Sequence, residues 1–137
     1  MPADAEAIKD AEFIDKFESQ TLDPTDFNHA GHLRLAWLYL RRYDLETAIA
    51  LISRGITTYA DSLGAADKYH VTITDAMMRI VSARMQGAQD KNWRSFLHRN
   101  ADLAEDAVAV LCQYFSRDRL FSDEARLSLL APDIKPI

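Results

Sequence analysis

The sequence predicts an all-α protein, a single-domain antiparallel bundle of about five to seven helices. Apolar residues recur three and four positions apart rather than two, and only four glycines and four prolines punctuate 137 residues. No segment alternates apolar and polar residues as a half-buried strand does. The length suits one domain whose core holds without disulfides or metals. Residues 1–137 are therefore read as one unit, with extended or flexible ends over about 1–5 and 131–137.

A first helix is expected from Ala5 to about Gln20, burying Ile8, Phe13, Ile14 and Phe17, with the turn at Pro24 ending it. Asn28 or Asp26 caps the second, which runs to about Tyr43. Its residues Leu33, Leu35, Ala36, Trp37, Leu38, Tyr39 and Leu40 cover nearly the whole circumference, which predicts the central helix of the bundle. Asp44 caps the third, whose stripe Ala48, Ile49, Ile52, Ile56, Tyr59 and Ala60 stops at Gly64. The fourth spans about Lys68 to Gln86 with Tyr69, Ile73, Met77, Ile80 and Val81 inward, its first turn weakened by the β-branched run Val71 to Thr74. Further on, Asn92 caps a short helix holding Trp93, Phe96 and Leu97. Asp102 opens another with Val108, Leu111, Tyr114 and Phe115, and a last one begins after Ser122. Two prolines predict an extended ending from Ala131.

Composition removes several function classes. The net charge is −5 and the arginines are scattered, which disfavours nucleic-acid partners. Cys112 is the single cysteine, so no internal disulfide forms, and its apolar surroundings read as packing in a reducing compartment. The opening Met1 to Glu6 lacks the character of a signal peptide and no uncharged apolar stretch spans a bilayer, which predicts a cytoplasmic protein with no membrane partner. There is no Gly-rich phosphate loop, Gly-x-Ser-x-Gly elbow or Cys-x-x-Cys pair. Met77, Met78 and Met85 read as adaptable core filling, and Arg41, Arg42, Asp123 and Glu124 as charges that suit helix ends. Nothing sets the oligomeric state.

Chemistry concentrates at Asn28-His29-Ala30-Gly31-His32, because histidines three apart share one helix face. His29 and His32 begin the stripe that continues through Leu33, Ala36 and Leu40. Short links make consecutive helices antiparallel, so the end of the first helix and the starts of the second and fourth meet at one end of the bundle. That end gathers Glu18, His29, His32 and His70 as candidate metal ligands, with Tyr69 and Thr74 as candidate pocket residues. Three imidazoles and a carboxylate suit a transition metal, whether zinc, iron, nickel or copper, better than magnesium or calcium. Without a metal, neutral histidines at these helix starts bind a carboxylate substrate or act as general bases, with Glu18 orienting them. In the plainer reading each histidine is a capping or hydrogen-bonding group that satisfies the fold. His98 is read as surface or cap.

The segments Phe17-Glu18, Phe27-Asn28-His29-Ala30-Gly31-His32-Leu33 and Tyr69-His70-Val71-Thr72-Ile73-Thr74 occur in the order of the pattern F-E…F-[TSN]-H-x-x-H-L…Y-H-x-T-x-T. This pattern resembles that of a group of small bacterial all-helical proteins, and the ending Leu120 to Arg126 with Pro132 to Pro136 is similar to the same group. The resemblance covers nearly the whole chain and implies a role for Glu18, His29, His32, Tyr69 and His70. It implies no particular activity. Ala36 to Leu40 with Tyr43 to Leu51 is similar instead to one tetratricopeptide helix pair, whose family binds peptides or partner proteins. No second copy follows at a fixed period. The expected function is thus a metal or small-molecule site, in a small metal-dependent enzyme or a binding protein. The alternative is a non-enzymatic interaction module with structural histidines.

Overall fold

Asn28, Asp44, His70, Asn92, Asp106, Ser116 and Ser122 each turn a side chain back to accept the backbone N–H three residues on. Each thereby satisfies one of the donors that a helix start leaves without a partner. The computed structural model describes residues 9–88 and 90–137. Among them it places nine α-helices: α1 Asp10–Glu18, α2 His29–Arg42, α3 Leu45–Ser62, α4 Val71–Met85, α5 Trp93–Arg99, α6 Ala101–Glu105, α7 Ala107–Leu111, α8 Arg117–Leu120 and α9 Asp123–Leu127. One 3₁₀ turn, Ala66–Lys68, precedes α4. The described residues contain no strand.

The all-α bundle is as the sequence predicts, with differences of detail. The expected start at Ala5, the inward Ile8 and the extended end over 1–5 lie outside the described residues. The first helix closes at Glu18, well before Pro24. Gln20 takes a left-handed φ of 59°, and the N–H groups of Thr21 and Gln20 reach back to the carbonyls of Lys16 and Phe17 at 2.8 and 3.2 Å. This is the closing motif usually built on glycine, and Gly64 (φ 69°) repeats it after α3. The helix expected from Asp102 is broken at Asp106, which caps α7, and α8 adds a further turn, so the count exceeds seven.

The central helix is α2, which packs against α3, α4, α5 and α6 and buries Leu33, Leu35, Ala36, Trp37, Leu38 and Tyr39. Phe17 of α1 lies between Phe27, Tyr39 and Tyr59 at ring separations of 5.6 to 6.4 Å. Trp37 meets Trp93 and Phe96, each at 6.2 Å, and so ties α5 to α2. The ending crosses back over the body. The fully buried Thr72 hydroxyl donates to the Ser128 carbonyl and accepts from Leu130 N–H, and the Ile134 N–H reaches Tyr114 O at 2.9 Å. Cys112 is half-buried against the core and is not disulfide-bonded. No helix among the described residues is long and apolar enough to cross a membrane.

Candidate functional site

The first turn of α2 sits close against the preceding loop. A Cβ on Gly31 would collide with the Asp26 backbone carbonyl, so the glycine inside His-Ala-Gly-His lets loop and helix touch. Phe27, at the end of that loop, lays its ring on the His32 imidazole with centroids 4.1 Å apart. On α4, the Thr74 hydroxyl donates to the His70 carbonyl at 2.8 Å.

Between these turns and α3 lies a partly enclosed cavity of about 90 Å³. Its polar lining comes from His29, His32 and Thr74. Its apolar lining comes from Leu33 and Ala36 on α2, Ile52 and Ile56 on α3, and Ile73, Met77 and Met78 on α4. The starts of α2 and α4 thus meet over α3, as the antiparallel order requires.

The expected site residues divide within this arrangement. His29 lines the cavity at one edge while its Nε2 lies 2.7 Å from the Leu103 carbonyl, in the last turn of α6. A carbonyl only accepts, so Nε2 carries the hydrogen, and in the neutral ring Nδ1 holds the lone pair. His70 is the cap of α4. Its Nδ1 accepts the Ile73 N–H at 3.1 Å and its Nε2 donates to the Leu120 carbonyl at 2.9 Å. Both ring nitrogens are committed to backbone, and the ring is not part of the cavity lining. Burial pushes the His70 pKa down, Arg126 adds to that, and the Leu120 bond opposes it.

The remaining expected residues lie apart. The Glu18 carboxylate accepts a hydrogen bond from the Tyr39 hydroxyl. It reaches His32 only through the rings of Tyr39, Phe17 and Phe27. Tyr39 is raised well above the ordinary phenol range, by burial first and by that carboxylate second. Tyr69 is half-buried before α4 and does not line the cavity. The donor set Glu18, His29, His32 and His70 therefore does not converge on one point. Among the described residues no group of three or more His, Cys, Asp or Glu side chains is placed to hold a metal ion. His98 is exposed.

His32 differs from the other two histidines of the motifs. No described residue hydrogen-bonds its ring, although the protein around it depresses its pKa to about 4, with His29 adding to the effect. Its side chain is accessible to water, which tempers the size of that shift but not its sign, and His32 is neutral at pH 7. No family model, curated protein or solved structure matches this chain.

The sequence alone did not mark Phe27 or the Leu103 carbonyl as parts of the site. The first stands in the resemblance pattern without a role, and the second is a backbone group 74 residues from its partner, for which residue type carries no signal. Met77 and Met78 were read as core filling, and their side chains also form a wall of the cavity.

Proposed function

We propose that the cavity between α2, α3 and α4 binds a small molecule, with His32 and His29 at its hydrogen-bonding end. The observation that carries this reading is the cavity itself, apolar along Leu33, Ala36, Ile52, Ile56, Ile73, Met77 and Met78 and polar only at the edge formed by His29, His32 and Thr74. Ligand sites are typically such mostly apolar hollows with a few convergent polar groups. His29 and His70, which hold the carbonyls of Leu103 and Leu120, agree with the structural-histidine alternative. His32 does not.

Untagged, isotope-labelled protein at pH 8 tests the proposal. Compounds of three to six carbons with varied head groups should shift the methyl signals of Ile52, Ile56, Ile73, Met77 and Met78 together with the His32 ring. His32→Ala should weaken binding and leave thermal stability largely intact. Zinc or nickel added to the same sample reports whether His29 and His32 also act as a metal-binding pair. No cavity response to any probe, together with a stability loss of about 2 kcal/mol in His32→Ala, would mark the histidine as structural and overturn the proposal.

A further inference from the structure

Resting on that reading of the cavity, we infer that its ligand is a short, uncharged aliphatic molecule whose head group donates a hydrogen bond, such as a primary alcohol or primary amide of about four carbons. The polar rim determines the head group. Thr74 gives its hydroxyl proton to the His70 carbonyl, so toward the cavity its oxygen only accepts. His29 gives its Nε2 proton to the Leu103 carbonyl, so in the neutral ring its Nδ1 is an acceptor. A neutral His32 contributes one donor and one acceptor. The rim therefore holds three accepting sites against one donor.

A carboxylate, which only accepts, would meet lone pairs on two of the three rim residues. An ammonium would donate well, but among the described residues no carboxylate lines the cavity to pair with it. An uncharged group with an O–H or amide N–H meets neither obstacle, and its oxygen can take the single His32 donor.

The walls determine the body. They are aliphatic or thioether throughout, and among the described residues no Phe, Tyr or Trp lines the cavity to favour stacking on a planar ring. Scaled from a cavity of about 150 Å³ that accepts benzene, a volume of about 90 Å³ holds roughly four heavy atoms, the carbon chain, and leaves the head group at the water-exposed rim of His29 and His32.

The experiment is a methyl- and imidazole-observed NMR titration at pH 8 with four probes of one chain length: 1-butanol, butanamide, butanoate and butylammonium. The expected result is saturable binding of 1-butanol and butanamide in the cavity, of order 1 mM for ligands this small. The two ions should bind at least tenfold more weakly. In Thr74→Val the preference for the uncharged probes should shrink about threefold or more. His32→Phe keeps a ring of similar shape and removes both nitrogens, so it should narrow the preference whether or not Thr74→Val folds. Butanoate or butylammonium binding as tightly as 1-butanol would overturn the inference and leave the cavity a ligand site. Silence of the cavity methyls toward all four probes would overturn both.

Discussion

His70 joins two helix ends at once: its Nδ1 accepts for the first turn of α4 and its Nε2–H donates to the last residue of α8. His29 does the equivalent for α6, where Leu103 O would otherwise be left by a helix of one turn. His70→Ala is expected to cost about 1 to 2 kcal/mol in urea unfolding, since it removes a cap and a donor together. His70→Asn keeps a capping oxygen and should recover more than half of that loss. Equal losses in the two variants would mean that the cap contributes nothing. The sequence alone placed His70 at the head of the fourth helix and left its task open between ligation and capping. Whether an imidazole ligates or caps depends on what lies across from it, here a carbonyl 50 residues further along the chain. Glu18 shows the same limit, because its partner Tyr39 is a core residue of α2 by pattern and gives no sign of a carboxylate at its hydroxyl.

At the scale of elements, α2 to α4 were legible because their boundaries are written locally. Asn28 and Asp44 cap, Gly64 closes, and the apolar stripes keep the helical period. The second half was less so. Asp106 and Ser116 start new turns within stretches whose period alone reads as continuous helix or plain link. Where α1 meets α3 the signal was a glycine inside a helix, which pattern reading passes over. A Cβ at Gly55 would stand 2.5 and 2.6 Å from two ring carbons of Phe17, itself fully buried among three other aromatic rings. Two effects compete in Gly55→Ala. Helix propensity favours alanine by about 1 kcal/mol. Overpacking against a ring that cannot withdraw costs about 1 to 3 kcal/mol. The clash should win, lowering the unfolding midpoint, and Gly55→Ala combined with Phe17→Leu should recover the propensity gain relative to Phe17→Leu alone. A more stable single variant would show that α1 can move away from α3.

Across the whole molecule the histidines give the fold a characteristic response to acid. His32 and His70 both have pKa values below the ordinary 6.5, each chiefly through the protein packed around the ring, and for His32 the water at its exposed side reduces the effect. In the unfolded chain they take up protons once the pH falls below about 6.5, and in the folded protein they do so only at lower pH. The unfolded state therefore binds more protons in this window, and stability must rise with pH through it. Their contribution is complete above about pH 6.5 and is lost progressively on acidification, toward about pH 4 for His32. For His70 the loss has a structural form, because a proton on Nδ1 removes the acceptor for Ile73 N–H and sets a positive charge at the positive end of α4. Carboxylates respond in a separate and lower window. Asp90 and Asp102 are held below 3.8 by Arg99 and Arg84, and Asp23, Asp44 and Asp133 by hydrogen bonds from Thr25, Thr47 and Ser116. Their contributions are present above that value and disappear only as the pH falls through the lowered ones. Urea unfolding from pH 8 to pH 3 should therefore show two declines, an upper one below about pH 6.5 and a lower one below about pH 4. His32→Phe and His70→Asn should each flatten the upper decline and leave the lower one in place. If wild-type stability is level between pH 7 and pH 5, neither imidazole is held neutral by the fold. His32 would then carry a charge in mild acid, and below about pH 6 the cavity should take butanoate in preference to 1-butanol.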